Sequence, residues 1–324
     1  MHELNNLDVL VRRREDDDPV EVAQLKHELV ANVWHQQEAA RAVVYKLERK
    51  YTSEEDLDKY VQMREEARSF WGGLTGVNDE ELSSESPVCY VLPKAELIMD
   101  VLECLPGPEY MQQSKEFQCG AGGFYNLDLG LAVVFRGSSW WKTVRTMIHE
   151  KGHLDGIGKI MYSRDEEKFV RRRVGFMSDH GNALEEGAVT WGSAQMLARP
   201  EFGATYPEWS EKMNVEVGMV QSMSVEEKRE KSLDSEEFGV SHYRLAARIV
   251  EQILVGLSGY YGSRRVAERV FFGSRVNDEM NKDALWPAMK KVFPVTSGRD
   301  MMMELKSISV KDVGRMEQLL ENLG

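Results

Sequence analysis

Residues 149–153 read His-Glu-Lys-Gly-His. On a helix, positions i and i+4 stand one above the other, so His149 and His153 can aim their rings at a single ion. Glu150 lies beside that face, where a carboxylate can take a proton from a water and later pass it to a leaving amine. Metal-assisted hydrolysis needs two neutral imidazoles, a third ligand, and a carboxylate next to an open coordination position. The bland alternative is an exposed helical face carrying two unrelated histidines.

A second candidate helix, Asn182-Ala183-Leu184-Glu185-Glu186-Gly187-Ala188-Val189-Thr190-Trp191, carries two adjacent acids followed by glycine. A helix bearing HExxH followed by a Glu-Gly helix resembles the gluzincin branch of the zincin metallopeptidases. That resemblance implies a Zn2+ cofactor, metal ligands His149, His153 and Glu186, and Glu150 as general base. Glu185 is the alternative third ligand, and His180, just before the helix, ranks below both glutamates. The separation from His153 to Glu186 exceeds that of the best-known gluzincins, and an inserted helix at 164–174 would account for it. The rival metzincin pattern is disfavoured: Gly156 fits it, but Lys159, a cation at neutral pH, occupies its ligand position.

The same family likeness implies a donor for the oxyanion of a tetrahedral intermediate. Tyr243 is the first choice and His242 the second, at the start of an amphipathic helix that they could also merely cap and pack. Tyr260 and Tyr261 are weaker choices in an expected turn. Thr190, one turn after Glu186, and Asp155, close behind His153, are candidates to orient the ligands. Zincin substrates commonly lie along an edge strand just upstream of the active helix, which would be Leu131–Phe135 here. The loop Gly120-Ala121-Gly122-Gly123-Phe124 sits where one aminopeptidase family has Gly-Ala-Met-Glu-Asn. The glutamate that would hold a free substrate amine is missing, so the loop reads instead as a flexible glycine rim of the cleft. The implied activity is zinc-dependent hydrolysis of peptide bonds in a peptide or protein substrate. A catalytically weak or inactive binding protein on the same scaffold is the alternative.

The elements that must position these residues follow from periodicity. Val22, Leu25, Leu29, Val33, Val43, Val44 and Leu47 fall at helical spacing, so residues 20–50 are expected to be helical. Thr52-Ser53-Glu54-Glu55 reads as a capped restart of a helix ending near Gly72-Gly73, with a linker from Gly72 to Pro87. Val88–Leu92 reads as a strand and Lys94–Leu105 as a helix stopped by Pro106-Gly107-Pro108. Phe117–Cys119 and Phe124–Asn126 are short candidate strands, and Leu131–Phe135 is the clearest strand in the chain. Ser138 or Ser139 should cap a helix from Trp140 to about Leu154. Helices are then expected near 164–174, 182–198, 209–222, 241–258, 262–272 and 310–323, and Trp140, Trp141 and Trp191 read as core. The fold class is α+β and mainly helical, zincin-like, with a small mixed sheet whose edge strand precedes the HExxH helix. Residues 1–75 form a helical N-terminal region and 76–324 the zincin-like domain, split into a sheet-containing part (76–158) and a helical part (159–324).

Composition sets the outer bounds. The 324 residues are 42% hydrophobic and 29% charged, ordinary for a globular chain long enough to build a real core. A formal net charge of −13 repels phosphate backbones, so nucleic acid is not an expected partner. Cys89, Cys104 and Cys119 form neither a disulfide framework nor a CxxC pair and read as reduced thiols. The segment Met1–Asn6 lacks the features of a secretory signal, and Leu245–Leu257 is interrupted by Arg248, Glu251 and Gln252. A cytoplasmic protein with no membrane partner is therefore expected.

Overall fold

The computed structural model describes residues 41–76, 88–93, 122–126, 131–136, 140–155, 160–163, 168–171, 176, 182–207, 241–276, 280–293 and 301–323. The expected helices at 94–105 and 209–222, the expected strand at 117–119, the loop residues Gly120 and Ala121, the caps Ser138 and Ser139, and His180 lie outside them.

Residues 41–51 are helical, and helix α1 follows over Glu54–Thr75. Ser53 caps α1, its hydroxyl accepting the Asp56 amide at 3.2 Å. The helix runs past Gly72 and Gly73 and stops at Gly76, which adopts a left-handed φ of 75° and donates its N–H to the Gly72 carbonyl. It continues through two glycines because its last turns carry Phe70 and Trp71, both buried. These side chains, with Tyr60 and Met63, belong to the same core cluster as the helices downstream.

Strands β1 (Val88–Leu92), β2 (Gly123–Asn126) and β3 (Leu131–Phe135) form a mixed sheet in the order β1-β3-β2. β1 runs parallel to β3 with Val88 opposite Leu131, and β2 runs antiparallel to β3 with Gly123 opposite Val134. This corrects the placement of Leu131–Phe135 as the edge: it is the middle strand. A continuous apolar run suits a strand covered on both faces, and Ala132, Val133, Val134 and Phe135 are all buried.

Helix α2 (Trp140–Asp155) packs on the sheet through Trp141, Val144, Met147 and Ile148, each at most 1% exposed. Trp140 is only half-buried and stacks on Tyr60 with ring centroids 5.1 Å apart. Within the helix expected at 164–174, residues Lys168–Arg171 are instead strand β5, antiparallel to β4 (Ile160–Ser163) with Met161 opposite Val170; the rest of that stretch lies outside the described residues.

Helix α3 (Ala183–Leu197) is buried around its whole circumference, the condition of a central helix. Asn182 caps it, accepting the Glu185 amide at 2.8 Å and donating to the Phe176 carbonyl at 2.9 Å. A short helix α4 (Pro200–Thr205) follows, and then α5 (Ser241–Tyr261), which lies along α3. The close approach of α3 and α5 depends on Gly187: a Cβ there would come within 2.4 Å of the Ala246 carbonyl oxygen. Helix α6 (Arg264–Gly273), a π-helical turn (Asn281–Leu285), and helices α7 (Trp286–Val292), α8 (Met301–Ser307) and α9 (Val313–Leu323) complete the described elements. The architecture is α+β and mainly helical. No helix among the described residues is long and apolar enough to cross a membrane.

Candidate metal centre

The last two turns of α2 and the first turn of α3 meet, and the three converging side chains, His149, His153 and Glu186, come from these two helix ends. The meeting is electrostatically sensible. The C-terminal end of α2 is its negative pole and favours a cation near His149 and His153; the N-terminal end of α3 is positive and favours the carboxylates of Glu185 and Glu186.

Three side-chain atoms converge between them. Glu186 Oε2 lies 3.3 Å from His149 Nε2 and 3.2 Å from His153 Nε2, and the two Nε2 atoms are 3.2 Å apart. His149, His153 and Glu186 form a group that could hold a metal ion, with all ligand atoms within 4.8 Å of one another. His153 is 1% exposed, whereas the His149 side chain keeps 20% exposure, so the group opens to solvent on the His149 side.

Burial lowers the pKa of His149, which favours the neutral, lone-pair-bearing imidazole, although its hydrogen bond with Glu186 opposes the shift. Burial acts on His153 in the same sense, but the Glu186 carboxylate and then Glu185 overturn it and push this imidazole up to about 9. Glu186 is held well below the usual carboxylate range, because His153 and His149 together outweigh its burial. The two carboxylates and two imidazoles thus form a buried site that prefers positive charge at its centre.

Glu185 does not join the triangle. Its Oε1 accepts from His153 Nδ1 at 3.4 Å, on the far side of the imidazole ring. Its carboxylate also receives the guanidinium fork of Arg275: Nε donates to Oε2 at 3.1 Å and an Nη2 donor reaches Oε1. The same Arg275 Nη2 donates to the Gly152 carbonyl at 3.0 Å. Against its burial, Arg275 and His153 hold Glu185 well below the usual carboxylate range. Sequence reasoning missed Arg275. It lies just past α6, far along the chain from Glu185, and no local pattern marks it.

Glu150 is 8% exposed. Burial pushes its carboxyl up to about 7, with His153 pulling it down and Glu186 adding to the rise. Its aliphatic stem lies against the sheet at Gly123 of β2, where an added Cβ would sit 3.1 Å from Glu150 Cγ and 3.0 Å from the Val133 carbonyl oxygen. Gly123 is therefore a strand residue required by close approach. The expectation of a flexible glycine rim does not describe it, since it pairs in register with Val134.

Tyr243 of α5 sets its ring edge-on to His149, centroids 5.8 Å apart, and His242 lies beside Tyr243 at 4.7 Å. Gly187 explains this placement, because the contact it permits with Ala246 brings the first turn of α5 onto Glu186. Burial, reinforced by Glu186 and Glu150, raises the Tyr243 phenol far above its ordinary range, so it keeps its proton to donate. Thr190 is buried, with no partner for its Oγ1 among the described residues. Tyr260 is exposed and the Tyr261 hydroxyl donates to the Ala284 carbonyl at 3.0 Å, so neither joins the centre. The side chain of Asp155 lies outside the described residues.

The N-terminal helix α1 also reaches this centre. Trp71 is wedged between α2 and α3, where a Cβ on Gly152 would come within 2.5 Å of its ring and one on Gly192 within 2.2 Å. Its indole donates to the Ile148 carbonyl at 3.2 Å. The glycine between Glu150 and His153 thus makes room for a tryptophan of α1.

Comparison of the chain with protein families, with curated proteins and with solved structures finds no match.

Proposed function

We propose that this protein is a zinc-dependent peptidase of the zincin type, with a gluzincin-like ligand set of His149, His153 and Glu186. The observation that carries the reading is the ligand triangle. A zinc ion bound tetrahedrally by nitrogen and oxygen at about 2.0–2.1 Å separates its ligand atoms by roughly 3.3–3.4 Å. The three separations here, 3.2, 3.2 and 3.3 Å, fit that spacing. One cation between the three atoms would satisfy all of them at once. Three protein ligands leave a fourth position open, the arrangement of a catalytic rather than a structural site. When bound, the ion would supply Lewis-acid chemistry, polarising a carbonyl and acidifying a water.

The chain's own residues supply the rest. Glu150 is buried beside the imidazoles and titrates near neutrality, so it can take a proton from the attacking water and return it to the leaving amine. Tyr243 keeps its phenolic proton and faces His149, where it can donate to a developing oxyanion; His242 stands next to it. A peptide is the substrate class favoured by the sheet. Among the described strands β2 pairs with β3 alone, and its Gly123 touches the Glu150 stem, so an extended backbone added along β2 would pass the base.

The test joins metal content to turnover. Purified protein should hold close to one zinc per chain by elemental analysis, and His149→Ala or His153→Ala should lose it. Glu150→Gln should keep the zinc while peptide hydrolysis falls by about a hundredfold or more. Wild-type turnover in Glu150→Gln would remove Glu150 from its role. Absence of zinc from both native and reconstituted protein would remove the metal.

A further inference from the structure

Behind the ligand triangle lies a fully buried relay, Arg275–Glu185–His153, that hydrolytic chemistry alone does not require. Arg275 is 0% exposed and the Glu185 side chain 3% exposed, so neither charge is explained by solvent. Arg275 engages three helices at once. Its fork grips Glu185 of α3, its Nη2 also reaches the Gly152 carbonyl of α2, and its guanidinium lies over the Trp71 ring of α1, 5.7 Å from the centroid. Burying such a pair costs desolvation, offset here by the fork and the Gly152 contact, although Arg275 Nη1 has no hydrogen-bond partner among the described residues. Here Glu185 spends one oxygen on His153 Nδ1 at 3.4 Å. An imidazole that donates from Nδ1 presents its lone pair at Nε2, the atom that faces Glu186 and His149.

We infer that Arg275 is a positioning residue for the metal centre, acting through Glu185 to fix the tautomer and ring direction of His153 and to keep Glu185 itself out of the ligand triangle. The inference rests on the metal reading above and adds to it. Two adjacent glutamates could each seek the same cation, and consecutive helix residues diverge by about 100°. Arg275 divides their roles: the bidentate fork occupies both oxygens of Glu185, while among the described residues Glu186 has no guanidinium against it. Because the same guanidinium touches Gly152 and Trp71, the two site helices and α1 are held in one arrangement by one residue.

The experiment measures zinc affinity by chelator competition on full-length protein whose fold is checked by circular dichroism. Arg275→Met alone would strand a buried carboxylate, so the informative variant is the neutral pair Glu185→Gln with Arg275→Met. It should bind zinc about 10–100-fold more weakly than wild type, as loss of an outer partner does. In Arg275→Lys, which keeps Glu185, the slowly exchanging His153 Nδ1 proton seen by NMR in the zinc-loaded wild type should exchange faster, a signal that a merely structural arginine would leave in place. Arg275→Lys keeps the charge without the fork and should fall between the two. Wild-type affinity in the folded double variant, with Nδ1 exchange unchanged in Arg275→Lys, would overturn the inference, leaving the metal reading intact. If the double variant does not fold, Arg275→Lys with wild-type affinity overturns it equally. A wild type that binds no zinc at all would overturn the metal reading, and this inference with it.

Discussion

Among the described residues, two glutamates are buried against an arginine, one at the edge of the sheet and one behind the imidazoles. Glu48 accepts from Arg64 and from the Val91 amide at 2.6 Å, while Arg64 Nε donates to the Cys89 carbonyl at 2.6 Å. Those backbone groups belong to β1, so the pair closes the side of the sheet that β3 does not cover. Glu185 accepts from Arg275 and from His153. The two carboxyls are shifted in opposite directions. Burial outweighs Arg64 and raises the pKa of Glu48, whereas Arg275 and His153 outweigh burial and lower that of Glu185. One cause is visible in exposure: the Arg64 side chain keeps 15% and Arg275 only 1%, so solvent screens the first cation and not the second. The other cause is the third partner, a neutral amide in one case and an imidazole in the other. The Glu48 pair ties two backbone groups of β1, whereas the Glu185 pair ties an imidazole and a second helix.

The largest expected effect separates the site from the sheet outright. Glu186→Ala removes a ligand and should weaken zinc binding by well over the roughly hundredfold that bounds an outer partner. Glu48→Gln should leave zinc affinity unchanged, since Glu48 is hydrogen-bonded to Arg64 and β1. Isothermal titration or chelator competition on both variants reads the contrast. Equal losses would erase the distinction between the two regions.

A smaller effect concerns stability, and here the order within each pair is informative. Glu185→Ala leaves Arg275 buried without its carboxylate and should cost about 3–5 kcal/mol in urea unfolding of the metal-free protein. Glu48→Ala frees a partly exposed Arg64 that can reach water, and its main cost is the stranded Val91 amide, about 1–3 kcal/mol. A Glu48→Ala variant less stable than Glu185→Ala would contradict the screening argument.

Much of this was legible in the sequence, and what escaped has physical reasons. The HExxH helix, the Glu-Gly helix and the strands at 88–92 and 131–135 carry periodicity or composition strong enough to read locally. Tyr243 was singled out and lies against His149, and Glu185 lies behind His153 while Glu186 faces both imidazoles. Strands β4 and β5 were not legible, because Glu, Lys and Arg around 164–174 favour helix and only pairing between the two decides for strand. Sheet order was misread because an edge strand and a middle strand look alike until their partners are known. Trp71 and Arg275 were missed for a further reason. Each acts on the site through contacts distant in sequence, to Ile148, Gly152 and Glu185, and such contacts leave no spacing to count.

The smallest effect is the slope of stability against pH, and it turns the comparison into a matter of sign. Glu48 has a folded pKa above its ordinary value of 4.5, so the folded state binds this proton more tightly than the unfolded chain. Its contribution is fully present below that value and is lost as pH rises through the folded pKa. Glu185 has a folded pKa below 4.5, so its contribution is present above 4.5 and is lost as pH falls toward the folded value. The penalty of Glu48→Gln relative to wild type should therefore shrink as pH rises from about 4 to about 7, and the penalty of Glu185→Gln should grow over the same range. Urea unfolding of both metal-free variants across that range measures the two slopes. Parallel slopes would mean that the two arginines hold their carboxylates in the same state, and the division between sheet support and ligand support would then have to rest on geometry alone.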